Sequence, residues 1–465
     1  MEAREVVVNP ALTALAQRFR AAGYDCYLVG GAVRDALLGR ETTDVDLATN
    51  AEPSTVKALL QASGADAIWT VGERFGTIGA KLAGLQVEIT TYRAEEYTPG
   101  SRKPKVRFGL TLEGDLARRD FTINAMAQDL CTGALVDPFG GQADLRARLI
   151  RAVGDPDERF AEDPLRLLRA VRFVAQLGFR LDPGTAAAIE RRAAALRTVS
   201  AERIAQEMHK LLVAPHAGRA LRLLCDLGLM RYIIPELLEM RGMRQDLYRY
   251  KDVFEHTLHV VDNAEPELPL RWAALLHDIA KPRTISHVNG QTHFFGHEVV
   301  GEAMSRRILT RLRCDHELIE RVAKLVALHQ RINSYEGDWT DGAVRRFMRE
   351  AGDALDDLFK LSRADLTTRR EDKRRAALRR LEELRARCEA IRAAEDVAKL
   401  RSPLDGHDLM ALFGRGPGPW IKPIKEHLLE LVLEGRLAQD DRETATRIAR
   451  ELMAQLEAQP AQTTG

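Results

Sequence analysis

The chain has 465 residues, 29% of them charged and 45% hydrophobic, with 69 Lys and Arg set against 68 Asp and Glu for a formal net charge of +1. That length allows about three domains with ample apolar material for their cores. The near-neutral balance excludes long-range steering of RNA by the molecule as a whole, so any nucleic-acid surface must be a local patch. Five scattered cysteines (Cys26, Cys131, Cys225, Cys314, Cys388) with no CxxC pair argue against a zinc ribbon or disulfide scaffold and suit a reducing cytoplasm. With no signal peptide and no apolar run of membrane-spanning length, the protein is expected to be cytoplasmic and to have no membrane partner.

Up to about residue 150, short β-rich runs (Cys26 to Val29, Val87 to Thr91, Leu135 to Val136) alternate with helical patterns, which predicts a mixed α/β head over residues 1–150. Within it, LVGGAVRDALLGRETTDVD carries the most information. Gly30 and Gly31 end an apolar strand and open a helix, where missing side chains let backbone N–H groups approach a phosphate. Arg34, one turn on, adds a fixed positive charge. Asp44 and Asp46 stand two apart in an extended run, so their side chains leave one face of the strand and can share metal ions. A triphosphate site beside a two-metal carboxylate site is what nucleotidyl transfer requires. Each half alone also reads as an ordinary turn or a solvated strand edge; both in order within one strand-helix-strand unit favour the site.

Glu88, in LQVEITTYR, is the candidate third carboxylate, or else a surface residue of an edge strand. AEEYTPGSRKPKVRFG is Pro-, Gly- and basic-rich without apolar periodicity, and reads as a mobile loop able to close on phosphates or as a solvated connection. In ARRDFTINAMA, Arg119 can contact the triphosphate and Asp120 the ribose hydroxyls; alternatively Asp120 caps a helix start.

From Arg151 the strand signals stop and helical spacing dominates, predicting a helical neck over residues 151–243. At its start, Asp163 before Pro164 is a good N-cap, yet Asp163 and Arg166 are three apart and share a helical face. Cytosine and adenine both place an amino donor beside a ring-nitrogen acceptor. An aspartate acceptor fixed beside an arginine donor would select those two bases, because a mismatched base leaves buried polar groups unpaired. Arg169 and Arg172 continue the arginine stripe toward phosphates or the base.

Six of the twelve histidines fall between His256 and His297, in a block expected over residues 244–368. His256, His277, Asp278, His297, His329 and Asp365 come from separate helical segments, and such an imidazole–carboxylate set suits a transition metal whose vacant position lets bound water attack a phosphate ester. His259 has no counterpart in the pattern. Beyond lies a helical tail, residues 369–465, whose basic stretch Arg369 to Arg392 either tracks RNA phosphates or forms a solvated face with i to i+4 pairs.

VGGAVRDALLG, TTDVDLAT, RRDFTINAMA, DPFGG..DL and EDPLRLLRAVRF together resemble the class II bacterial tRNA nucleotidyltransferases, the CCA-adding enzymes, and their relatives the bacterial poly(A) polymerases. The resemblance implies an α+β fold: a polymerase β-like head with a mixed sheet, then an all-α neck, body and tail. It implies that Asp44 and Asp46 bind magnesium, and that Gly31, Arg34, Arg119, Asp163, Arg166, Arg169 and Arg172 contact nucleotide. The implied reaction is template-independent addition of C, C and A to the tRNA 3′ end from CTP and ATP. Poly(A) polymerases tend to carry G-[RK]-[RK]-F where this chain has Gly72-Glu73-Arg74-Phe75, and Glu73 favours the tRNA enzyme. The H…HD…D set resembles the HD phosphohydrolase superfamily, so an HD phosphohydrolase with an RNA-binding head is the reading from another class.

Overall fold

The computed structural model describes residues 9–40, 44–96, 105–108, 111–246, 249–289, 291–368, 370–394 and 399–458; the side chains of Asp44, of residues 94–96, 105–108, 244–246 and 249–251, and of Ala458 lie outside that description. It divides into two compact units, Met1–Glu239 with Arg311–Arg313, and Met240–Thr310 with Cys314–Gly465.

The first unit opens with α1 (Pro10–Ala21), begun by Asn9, whose side chain accepts the Ala11 N–H at 2.9 Å, and buried through Leu12, Leu15, Ala16 and Phe19 at helical spacing. Strands β1 (Tyr27–Val29), β2 (Asp44–Thr49), β3 (Ala67–Trp69), β4 (Thr77–Leu82) and β5 (Leu85–Thr91) are interleaved with α2 (Gly31–Leu37) and α3 (Pro53–Ala62). A ribbon of β6 (Arg93–Glu96) and β7 (Lys105–Phe108) pairs antiparallel where a mobile loop was expected; residues 97–104 between them lie outside the described set. After α4 (Leu112–Ala117), β8 (Ala127–Asp129) and β9 (Leu135–Val136) complete a seven-stranded sheet of order β3-β4-β5-β2-β1-β8-β9. Only β2 and β5 run parallel within it. Period-2 burial fixes its faces: Val45, Leu47, Val87 and Ile89 are buried, whereas Asp46 and Glu88 are exposed.

The run after Asp120, where the alternative reading placed a capped helix, is a single 3-10 turn over Thr122–Asn124 that leads into β8. Its residues are nonetheless buried, because tertiary packing overrides helix propensity there. Further helices follow: α5 (Gly141–Ala147), α6 (Pro156–Glu162), α7 (Leu165–Leu177), α8 (Pro183–Arg192), α9 (Ala201–Leu212) and α10 (Ala217–Asp226). α7 is buried nearly all round and packs against α9 and α10, ending at Gly178 with φ +70°. Arg151 ties this layer to the head, donating to Asp144 at 3.1 Å and to Asp182 at 2.6 Å.

Strands do continue past Arg151: β11 (Arg180–Leu181), paired with β10 (Leu149–Ile150) from just before it, then β12 (Arg244–Asp246) with β13 (Arg249–Asp252), and β14 (Ser286–Val288) with β15 (Gln291–His293). Runs of two to four residues are too short to show a period in sequence. The rest of the second unit is helical: α11 (Val253–Asn263), α12 (Leu268–Leu276), α13 (Lys281–Thr284), α14 (His297–Arg311), α15 (His316–Asn333), α16 (Asp341–Ala351), α17 (Leu355–Asp365) and α18 (Glu371–Ala394), then α19 (Gly406–Phe413), α20 (Ile421–Leu433) and α21 (Arg442–Ala458) around a small core of their own. α12 packs on α11, α15 and α17 around the fully buried Trp272. α18 buries only Leu381, Leu384, Cys388 and Ile391, so its many charges form a solvated face. Among the described residues no helix is long and apolar enough to cross a membrane.

Candidate active site and candidate metal centre

In the first unit, the end of β1, the start of α2, β2 and the exposed side of α7 border a cleft of about 650 Å³. Gly30, Gly31, Arg34, Asp46, Arg119, Asp120, Asp163, Arg166, Arg169 and Arg172 all line it. The diglycine, one of the paired aspartates and the arginine helix therefore share one space, although more than a hundred residues of chain separate them. Gly30 has φ +70°, and a Cβ there would lie 2.7 Å from Arg119 Nη1 and 3.8 Å from Asp46 Oδ2. Only glycine fits both that backbone and that approach. Asp44 precedes Asp46 by two positions on β2 and pairs in register with Gln86. Glu88 stands opposite Asp46 in the parallel register of β2 and β5, outside the residues that line the cleft.

Eight basic side chains line the cleft against four acidic ones, which supplies the local positive patch that the whole-chain charge lacks. The arginines are held by acids. Arg34 pairs with Asp35 at 2.7 Å and donates to Asn124 Oδ1 at 2.7 Å. Arg118 and Arg119 share Asp115, Arg169 pairs with Asp120 at 2.6 Å, and Arg172 with Glu207 at 2.6 Å. Arg34, Arg169 and Arg172 also lie 5.1, 5.6 and 4.4 Å from the centroid of the buried Phe173 ring, within cation–π range. Asp120 is buried and fully engaged: Oδ1 accepts from the Phe121 N–H and from Asn124 Nδ2, and Oδ2 accepts from Arg169. Burial works against its charge, but Arg169 and the Asn124 hydrogen bond outweigh it and hold Asp120 down to about 2.

Asp163 and Arg166 do not share one helical face. Asp163 is extended (φ −140°, ψ 101°) in the joint between α6 and α7, where it accepts the Leu165 N–H at 3.1 Å and pairs with Arg203 at 2.8 Å. Arg166 pairs with Glu162 at 2.6 Å and donates to the carbonyl oxygens of Arg159 and Arg118. Asp163 thus caps α7 as its place before Pro164 suggests: Pro164 is already helical (φ −59°, ψ −16°), and the Asp163 carbonyl accepts the Arg166 N–H at 3.0 Å. Arg203, Arg118, Asn124 and Phe173 escaped the sequence reading, because nothing local in the chain marks a contact forty or more residues away.

The second unit holds a separate cluster. His256 comes from α11, His277 and Asp278 follow α12, His297 opens α14, His329 lies in α15 and Asp365 ends α17. His256 Nε2 is 2.9 Å from Asp365 Oδ1 and 3.4 Å from His277 Nε2, while His277 Nε2 is 3.2 Å from Asp278 Oδ2. His297 Nε2 is 3.6 Å from Asp278 Oδ1 and 3.2 Å from His329 Nε2. Two ligand groups capable of holding a metal thus meet at Asp278, one with His256 and His277, the other with His297 and His329. The opposite ring nitrogens are anchored: Nδ1 of His277, His297 and His329 lies 2.9, 2.8 and 2.6 Å from the carbonyls of Ala274, Phe294 and Val326, and Nδ1 of His256 lies 2.8 Å from Thr367 Oγ1. Donation to those carbonyls fixes the tautomer and turns the Nε2 lone pairs inward. Burial, then repulsion from His277, push His329 down to about 4, leaving a neutral ligand at ordinary pH. Burial opposes the charge on Asp278, but His277 and Lys281 hold it well below the usual carboxylate range. His259 is exposed and takes no part.

The family model for the Poly A polymerase head domain matches residues 26–151, that for the probable RNA- and SrmB-binding site of polymerase A residues 178–240, and that for the HD domain residues 253–376. The chain is 34% identical to the CCA-adding enzyme of Geobacillus sp. (strain WCH70) over 89% of this chain and 90% of that protein. The chain belongs to the CCA-adding family of tRNA nucleotidyltransferases. The chain is also 36% identical to the A-adding tRNA nucleotidyltransferase of Deinococcus radiodurans over 87% of this chain and 90% of that one. A solved structure of the Bacillus stearothermophilus CCA-adding enzyme in complex with CTP superposes with a TM-score of 0.70 at 30% identity, covering 97% of this chain and 100% of that chain.

The Asp120–Arg169 pair sets a pH dependence. Asp120 has a folded-state pKa below the ordinary carboxylate value, so it contributes stability fully present above about pH 4 and lost as pH falls through about 2. Arg169→Ala is expected to cost about 2–3 kcal/mol at pH 7, a buried-pair penalty discounted for the one-third exposure of Arg169. Urea unfolding at stepped pH should show the gap to the unmutated protein narrowing below pH 4; a gap constant from pH 7 to pH 2 would contradict the assignment.

Proposed function

We propose that the cleft in the first unit adds C, C and A to tRNA 3′ ends from CTP and ATP, with Asp44 and Asp46 as magnesium ligands and Glu88 as the third carboxylate. The observation that carries this reading is the shared cleft, which sets the Asp46 carboxylate across from Asp163, Arg166 and the arginine stripe. Carboxylate oxygens are the hard donors that magnesium prefers. Asp44 and Asp46 would hold the magnesium, whose charge would favour deprotonation of the attacking 3′-hydroxyl and departure of the diphosphate.

The protein's own groups do the rest. Gly30 and Gly31 at the start of α2 let backbone N–H groups approach the triphosphate, and Arg34 and Arg119 offer it fixed charge. Asp163 accepts the exocyclic amino group of cytosine or adenine, and Arg166 donates to the adjacent ring nitrogen. Without nucleotide, Arg203 and Glu162 hold these two side chains in place, so the base exchanges partners with ready-made ion pairs. Asp120, with both oxygens committed, positions Arg169 and Asn124. CTP as substrate is supported by the CTP complex of the Bacillus stearothermophilus enzyme. Glu73, paired with Lys57 at 2.5 Å where poly(A) polymerases carry a basic residue, supports tRNA over arbitrary RNA.

A second activity is favoured by the buried histidine–aspartate cluster: hydrolysis of a phosphate ester at an RNA end. Imidazole with carboxylate suits a transition metal, which when bound supplies an activated water and polarises the phosphoryl group. In the reaction the water oxygen bonds to phosphorus, the bond from phosphorus to the ribose oxygen breaks, and a proton passes to that oxygen.

Two experiments test these readings. Asp46→Ala is expected to lower incorporation into tRNA lacking its last three nucleotides by about 10³-fold or more, a loss of some 4 kcal/mol. End sequencing of the unmutated protein's product should read CCA. Growth only by adenosine on tRNA already ending in CC would reduce the activity to A addition, and full incorporation by Asp46→Ala would overturn the site. For the second centre, elemental analysis of an Asp44→Ala/Asp46→Ala protein after loading with manganese should find two ions per chain, one when His329→Ala is added and none when Asp278→Ala is added; equal content in all three would contradict a shared Asp278.

A further inference from the structure

Among the described residues, the exposed large hydrophobic side chains are Val71, Ile285, Val288, Phe295, Val299 and Val300. Five of these six fall between residues 285 and 300, in the segment that ends at the first turn of α14 and delivers His297 to the metal centre. Phe295 is 71% exposed, and its ring lies parallel to that of His293, with centroids 4.8 Å apart and planes at 9°. One face of Phe295 is thus covered by an imidazole and the other is open. The same loop is wired to the centre: the Phe294 carbonyl lies 2.8 Å from His297 Nδ1, and Lys281 stands 5.5 Å from the Phe294 ring centroid and 2.7 Å from Asp278 Oδ2. Phe295 precedes His297 by two positions with only Gly296 between them, a chain span of at most about 7 Å, which is the scale of one nucleotide.

We propose that His293 and Phe295 form a stacking platform for the last nucleobase of an RNA end, so that the phosphate on its own 2′ or 3′ oxygen reaches the histidine–aspartate centre. This rests on the phosphohydrolase reading above and names its substrate class. An open aromatic face is the surface on which any base stacks without regard to sequence, because every base has a π-face. Lys281, joining the aromatic loop to Asp278, places a cation where a phosphate would pass from platform to centre.

The test uses the full-length protein. A trinucleotide ending in 2-aminopurine with a 3′-phosphate should lose fluorescence on binding the metal-free protein; the quenching should disappear in Phe295→Ala and persist in Phe295→Tyr. With manganese bound, Phe295→Ala should raise KM for adenosine 2′-monophosphate by about tenfold, the share expected of one stacked base, with kcat held within about twofold. Hydrolysis of glycerol 2-phosphate, which has no base, should stay unchanged. If the unmutated protein hydrolyses neither ester, the phosphohydrolase reading fails, and the quenching still decides the platform. Equal quenching and equal KM in Phe295→Ala overturn it, as does a patch that serves only self-association, seen as a dimer in sedimentation that Phe295→Ala dissociates without any change in nucleotide binding.

Discussion

Seven arginines border one cleft in the first unit, and each sits against a carboxylate. Like charges so close would repel one another and leave the cleft surface disordered; a counter-acid beside every guanidinium, with Asp115 shared by Arg118 and Arg119, offsets that cost and sets its direction. Arg34, Arg169 and Arg172 converge further on the Phe173 ring, which braces three cations against one quadrupole. A cleft built this way presents more cations than acids on its lining while each guanidinium is held in place from behind. Its acids also explain how a chain of net charge +1 carries a patch suited to triphosphate.

The same constraint links the chemistry to the fold. α7 is buried nearly all round, so its arginines cannot move without disturbing the packing against α9 and α10. Arg172 and Asp163 both reach α9, through Glu207 and Arg203. The register of β2 against β5 sets Asp46 opposite Glu88. Asp46 on one side and Asp163 and Arg166 on the other are thereby held by separate layers of a single unit. The histidine–aspartate centre follows a parallel logic: backbone carbonyls orient three imidazoles, and one carboxylate, Asp278, joins two ligand groups.

Much of this was legible in the chain. The diglycine, the paired aspartates and the H…HD…D set are local patterns dictated by local chemistry, and the α+β architecture follows from where strand alternation gives way to helical spacing. Contacts that depend on tertiary packing were not legible. The helix that a capping Asp120 would start is a 3-10 turn because buried neighbours decide its backbone. The cap at Asp163 is local and readable from Pro164, but its partner Arg203, forty residues on, is not. β12 to β15 are too short to announce themselves by period. The exposed Phe295 looks in sequence like any core aromatic.

The central claim is that one cleft selects the base through a side-chain template while it holds the triphosphate elsewhere. Equilibrium binding of CTP, ATP, UTP and GTP to the tRNA-free protein in magnesium measures this most directly, with Asp163→Ala compared against the unmutated chain. The account predicts a preference of about tenfold or more for CTP and ATP, as expected of buried donors and acceptors left unpaired by the wrong base. That preference should vanish in Asp163→Ala while triphosphate binding itself survives. An Asp163→Ala protein that keeps the preference, or an unmutated one that binds all four nucleotides alike, would contradict it.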